Sequence, residues 1–132
     1  MVDLMSTENL VFTQIKALFS GKLKEKYTNL YFTTSNKVQA TPKFPTIYIH
    51  ELPSAETGND LENTEINGKI ATFQIEVFDN QSQTRASETM TEVVRIMKGM
   101  RFSVNEMPYF DNTDTYRKVA RFRRVIGNGD VL

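Results

Sequence analysis

The sequence has no cysteine and no tryptophan, a single histidine, and no excess of charge of either sign. Without cysteine there is no disulfide framework, no thiolate metal site and no thiol nucleophile. That absence suits a reducing compartment without fixing one. Sixteen basic and sixteen acidic residues cancel, so no bulk positive field exists to hold nucleic acid non-specifically. No apolar run approaches the roughly 18–20 residues of a membrane span. The stretch Met1–Leu10 lacks the basic-then-apolar order of a signal peptide. A chain of 132 residues can bury about 65–70% of its unfolded surface without metal or disulfide staples. The expectation is a soluble intracellular α+β protein, residues 1–132 forming one domain with no membrane partner and no cofactor.

The strongest pattern is Lys69–Asn80. Ala71, Phe73, Ile75 and Val77 fall on one side of an extended chain, and Thr72, Gln74 and Glu76 on the other, the period of a half-buried strand. The period then lengthens to that of a helix: Ala86, Met90, Val93, Met97 and Met100 are spaced four, three, four and three apart. A strand therefore hands over to an amphipathic helix, Gln83 to Lys98, through the polar turn Asp79–Ser82, with Gly99 near the helix end.

Upstream, Ser6 or Thr7 can cap a first helix with Glu8 in its first turn, where the helix dipole favours a carboxylate. Leu4, Val11, Ile15, Leu18 and Phe19 form its apolar stripe, and Gly21 is its expected stop. Lys22, Lys24 and Lys26 read as a solvated helix end. Leu30–Phe32 and Thr46–Glu51 are strand candidates, the second entered through Pro45 and ended by Pro53. Residues 53–68 are then expected to form a long projecting loop carrying Glu56, Asp60, Glu62 and Glu65, with only Leu61 and Ile66 as large apolar residues. Loops of this length in compact domains are usually functional or disordered; acid with two apolar anchors suits a partner interface. After the second helix, Arg101–Met107 alternates as a strand, Pro108 and Asp111–Asn112 mark a turn, and Thr115–Ile126 is the last strand. Residues 127–132 are an expected loose tail. The fold class that follows is an α+β sandwich: an antiparallel sheet of four to five strands with two helices packed on one face.

Chemistry is sparse. His50 and Glu51 are neighbours in a strand and point to opposite faces, so they do not form an acid–base pair. Asp111 and Asp114 lack the glycine and distal glutamate of a calcium loop. Glycine-rich phosphate cradles, a G-x-S-x-G elbow and HExxH are missing, so no enzyme is expected. The last strand places five cations in eight residues, Arg117 to Arg124, with Tyr116 and Phe122 interleaved. Tyr116, Ala120, Phe122 and Ile126 share one face, and Arg117, Val119, Arg121, Arg123 and Val125 the other. Single-strand nucleic-acid readers put aromatic and basic groups on the same face. Here they separate, which favours ion pairing by Arg117, Arg121 and Arg123, with Glu76 as a candidate partner across the sheet or between subunits.

FPTIYIHEL, the acidic stretch, ATFQIEVFDNQSQTRASETMTEVVRIMKGM and YRKVARFRRVIG follow one another in this order. This succession resembles the small tail terminator (tail completion) proteins of long-tailed bacteriophages, over Pro45–Gly127 and in the N-terminal helix. The resemblance implies a structural, non-enzymatic subunit that closes as a hexameric ring on the head-proximal end of the tail tube. It also implies the tail tube protein and a head completion (connector) protein as partners. Double-stranded DNA would pass through the lumen without sequence readout, and the protein would sit in the virion after assembly in the host cytoplasm. Under that reading Glu56, Asp60, Leu61, Glu62, Glu65 and Ile66 contact the tube or a neighbouring subunit, and Glu76, Arg117, Arg121 and Arg123 form the subunit interface. Another head–tail connector component and a nucleic-acid-binding module are the alternatives.

Overall fold

The computed structural model describes residues 7–34, 43–53, 55–57, 68–106, 110–111 and 115–127. Its elements run α1 (Thr7–Leu18), α2 (Gly21–Lys26), β1 (Tyr31–Thr33), β2 (Thr46–Glu51), β3 (Ala55–Thr57), β4 (Gly68–Asp79), α3 (Gln83–Gly99), β5 (Ser103–Glu106), β6 (Phe110–Asp111) and β7 (Tyr116–Gly127). The sheet has the order β1-β2-β4-β7-β5, with β3 added beside the start of β4 and β6 beside the start of β7. The α+β class is as expected. Two details differ from the expectation. β1 runs parallel to β2, so the sheet is mixed rather than antiparallel, and the described residues contain three helices rather than two. A parallel neighbour needs a crossover of about a dozen residues, and the polar connection between Thr33 and Thr46 supplies that length.

β4 is the spine. It pairs over its whole length with β7, Gly68 opposite Gly127 through Asp79 opposite Tyr116, and on its other side with β2. Ala71, Phe73, Ile75 and Val77 are fully buried on one face, together with Ile47 and Ile49 from β2 and Ala120, Phe122 and Ile126 from β7. α3 lies over β4 and β7, and α1 over β2 and against α3. The seam Ala86, Met90, Val93, Met97 and Met100 is buried as the spacing required. In α1, Val11 and Ile15 are buried, as is Phe19 just after it, whereas Leu18, expected in the stripe, is 51% exposed. Leu18 is the last residue of α1, and Gly21 opens α2 instead of stopping α1.

Three sets of hydrogen bonds fix the helices. Asp79, fully buried, accepts hydrogen bonds through Oδ2 from the Gln81 and Ser82 amides at 3.0 and 2.9 Å. Ser82 Oγ then accepts from the Arg85 amide at 3.1 Å, an N-cap for α3. At the other end of α3 the Arg101 amide donates to the Lys98 carbonyl and the Phe102 amide to the Met97 carbonyl, the paired bonds of a Schellman ending. Arg101 occupies its left-handed position with φ of 69°; Gly99, expected near the helix end, is the last residue of α3. Finally, Glu92 on α3 accepts from the Ser20 amide at 2.7 Å and from Arg95 at 2.6 and 2.8 Å, and Arg95 also donates to the Leu18 carbonyl at 3.2 Å. This cluster ties the α1–α2 junction to α3.

Two predictions follow from the packing. Phe73 is fully buried and meets Phe102 edge-on at 5.8 Å between ring centroids. Phe73→Ala should therefore cost about 3–5 kcal/mol in urea denaturation; a loss below about 1 kcal/mol would place the core elsewhere. For Glu92, the Arg95 hydrogen bonds hold the carboxyl below its usual range; burial opposes them and the Ser20 amide reinforces them. A depressed carboxyl stabilises the fold above its unfolded value of about 4.3 and loses that contribution as pH falls through the folded value. The stability gap between the native chain and Glu92→Gln should be present at neutral pH and narrow on acidification below that unfolded value. A gap independent of pH would show that Glu92 contributes nothing through its charge.

Candidate interface on the open face of the sheet

The helices cover one face of the sheet, and the polar positions of β2, β4 and β7 occupy the other. β7 presents Arg117, Val119, Arg121, Arg123 and Val125 there, as alternation required. The register sets Arg121 opposite Gln74, Val119 opposite Glu76 and Arg117 opposite Phe78. Glu76 is consequently diagonal to two arginines.

Glu76 is only 6% exposed although no helix lies over it among the described residues. Arg117 reaches it from the diagonal: Nε donates to Oε1 at 2.6 Å, and Nη2 pairs with the same oxygen. Gln74 Nε2 donates to Oε2 at 3.3 Å, and Gln74 Oε1 in turn accepts from Arg121 Nε at 3.1 Å. A continuous polar ladder thus runs Arg121–Gln74–Glu76–Arg117. On the β2 side, His50 stacks on Tyr48 with ring centroids 4.5 Å apart and planes within 5°. Its Nε2 lies 3.7 Å from Glu76 Oε2, beyond hydrogen-bonding distance. Burial pushes the Tyr48 phenol up from its ordinary range, and the Glu76 and Glu8 carboxylates add to the effect. Nothing in this arrangement pairs a nucleophile with a base and an orienting group. It is a rigid, charge-assisted surface.

Of the residues expected at the subunit interface, Glu76 and Arg117 are joined to each other within one subunit. Arg121 and Arg123 are exposed. The expected loop 53–68 is corrected in part: Ala55–Thr57 is strand β3, with Glu56 in register opposite Lys69. β4 begins at Gly68, and Leu52 is tied by its amide to the Thr72 carbonyl at 2.8 Å. Asp60, Leu61, Glu62, Glu65 and Ile66 lie outside the described residues, as do residues 128–132 of the expected tail. The tail's first residue, Gly127, belongs to β7.

Two features carried no sequence signal. The first is the approach of His50 to Glu76, which depends on which strands are neighbours. The second is an open groove of about 610 Å³ at the end of the sheet, lined by Arg101, Ser103, Arg123, Arg124 and Val125. A further recess of about 370 Å³ between the end of α2 and the start of α3 is lined by Tyr27, Asn29, Gln81 and Arg85 among others. There the Arg85 guanidinium lies 4.9 Å from the Tyr27 ring centroid and 3.3 Å from Asp79 Oδ1. Among the described residues no three acidic or histidine side chains gather as a metal site, and no helix is long and apolar enough to cross a membrane. No protein-family model matches the chain, and no curated protein matches it either.

The ladder makes an asymmetric prediction. Removing Arg117 strands a nearly buried carboxylate, which costs about 3–5 kcal/mol. Removing the Glu76 charge leaves Arg117, about a third exposed, able to rehydrate. Arg117→Met should therefore destabilise more than Glu76→Gln, whose cost should stay near 1–3 kcal/mol. Equal losses in urea denaturation would show that the pair is solvated.

Proposed function

We propose that this chain is a structural subunit of a long-tailed bacteriophage tail. Its role is that of a tail terminator, which assembles as a ring on the head-proximal end of the tail tube, ends tube growth and offers the surface to which the head connector joins. Supporting this is the resemblance over Pro45–Gly127, carried by the strand–turn–helix unit and the arginine-rich final strand. The observation that carries it furthest is the one-sided sandwich. One sheet face is sealed by α1 and α3 and the other presents a stiff ladder ending in exposed arginines, which suits docking more than catalysis.

A neutral chain bearing opposite charges at different places can make heterologous, head-to-tail contacts, and such contacts close into rings when the rotation permits. The ladder refines which groups do so. Glu76 and Arg117 stiffen the face from within, while Arg121 and Arg123 are the outward contacts. The tube protein, the connector protein and DNA passing through the lumen complete the proposed surroundings, in the virion. A related connector component would share the same subunit architecture.

The test reverses Arg121 and Arg123 to Glu together. Both side chains are exposed, so the variant should stay folded, losing about 1 kcal/mol for the Arg121–Gln74 hydrogen bond. The native chain should run as an oligomer by native mass measurement or on isolated tails. The variant should run as a monomer, leaving overlong tubes or tails without heads. Normal assembly and infection by the variant would remove the arginines from the interface. Tight, steeply salt-dependent duplex binding by a monomeric native chain would favour the nucleic-acid-binding alternative.

A further inference from the structure

The groove at the start of β5 carries unbalanced positive charge. Arg101, Arg123 and Arg124 surround it, Ser103 adds a hydroxyl, and none of its lining residues is acidic. Val125 stands in it 61% exposed, the more exposed of two large apolar side chains at the surface among the described residues. β5 pairs only with Ala120–Arg123, so β7 runs on past the end of β5 and forms the groove wall. Arg124 Nη1 donates to the Met100 carbonyl at 3.0 Å, bracing the wall against the end of α3. Arg101 and Arg123 make no side-chain hydrogen bond or ion pair among the described residues.

The backbone singles out Arg101. Its φ of 69° is in the left-handed region, the position of a Schellman ending where glycine is usual because a Cβ is strained there. Glycine would serve the helix ending better, and nothing among the described residues rewards the arginine. Strain held at an exposed residue without a partner among them points to an external one.

We infer that this groove is a docking surface for a second copy of the same chain, receiving carboxylates on Arg101 and Arg123 and an apolar side chain on Val125. An apolar centre rimmed by arginine is the anatomy of a protein contact, whereas a phosphate backbone gains nothing from Val125. Charge complementarity names the partner. The chain is neutral, so cations concentrated at this edge are matched by acid elsewhere in the same sequence. The densest acid, Glu56, Asp60, Glu62 and Glu65, comes with Leu61 and Ile66. The inference rests on the reading that copies of this chain assemble, and it assigns that assembly a receiving surface at Arg101, Arg123 and Val125.

The experiment measures self-association of the full chain by sedimentation equilibrium and native mass spectrometry, with thermal unfolding in parallel. Arg101→Gly should raise the unfolding midpoint, because backbone strain is relieved, yet weaken association by about tenfold or more, the scale of a lost charged contact. Opposite signs in the two readouts separate an interface role from a folding role. Arg123→Glu should also weaken association. Mixing it with Asp60→Arg/Glu62→Arg chains should restore mixed oligomers that neither forms alone. Native association by Arg101→Gly and Arg123→Glu would overturn the groove assignment while leaving ring assembly standing. A native chain that stays monomeric at every concentration, alone and on tails, would sink both. Salt-sensitive binding of a DNA duplex by such a monomer, lost in Arg123→Glu, would give the groove to phosphates and overturn the inference.

Discussion

Burial on one side of β4 is the constraint from which the remaining architecture follows. Ala71, Phe73, Ile75 and Val77 admit no solvent, and strand alternation gives them a single face. A slip of one residue would drive Gln74 and Glu76 into the core, so the register with β2 and β7 is strongly specified. The turn that follows decides which face is sealed. Asp79, at the same parity as the apolar set, holds the Gln81 and Ser82 amides, and the chain enters α3 already on the core side. α1 then completes the cover over β2, and Glu92 joins the two helical segments.

The open face had to solve its own polar problem. Glu76 is nearly buried among strand neighbours, and an unpaired carboxylate there would be costly. Arg117 supplies charge from the diagonal, and Gln74 supplies a donor. Because the Gln74 oxygen accepts from Arg121, its amide orientation is fixed by both neighbours at once. Arg121 is thereby coupled to Glu76 with no direct contact. Such a face is expensive to desolvate and slow to rearrange, properties useful where identical subunits must meet in one geometry. A solvated loop would offer neither.

Much of this was legible in the residues, because apolar period is a local signal. The spine strand, α3 with its five-residue seam, β2, the last strand and its two faces all follow from spacing alone. What escaped depends on non-local geometry. The direction of β1 is not encoded in Tyr31–Thr33, since parallel and antiparallel neighbours bury the same side chains. The split of the first helix at Leu18 was hidden because Leu18 and Phe19 both read as stripe. β3 was hidden for the opposite reason: Ala55–Thr57 has no apolar alternation and owes its conformation to pairing with β4. The end of α3 was placed to within one residue, at Gly99, but the left-handed residue that closes it, Arg101, carried no signal because arginine is not favoured there. The candidate site was legible as a list of arginines but not as a division of labour among them.

That division can be argued from the buried acids. The described residues contain three buried carboxylates, Glu76, Asp79 and Glu92, and each has taken one arginine: Arg117, Arg85 and Arg95. Desolvation makes each of these pairings obligatory, because a carboxylate without its cation would cost more than the pair. The arginines so used are structural, and the sequence gives no sign of which they are. Of the four left over among the described residues, Arg124 donates to the Met100 carbonyl, while Arg101, Arg121 and Arg123 lie at the sheet edge and its open face, Arg121 bonded to the Gln74 amide. Solvated arginines scattered over a surface would need no explanation. Here Arg101 and Arg123 flank an exposed valine, Arg101 on a strained backbone, in a chain whose remaining acid is concentrated elsewhere. Fold stability cannot account for that placement, since it would be served by glycine at 101 and a polar residue at 125. The proposed contact between copies of the chain would account for both.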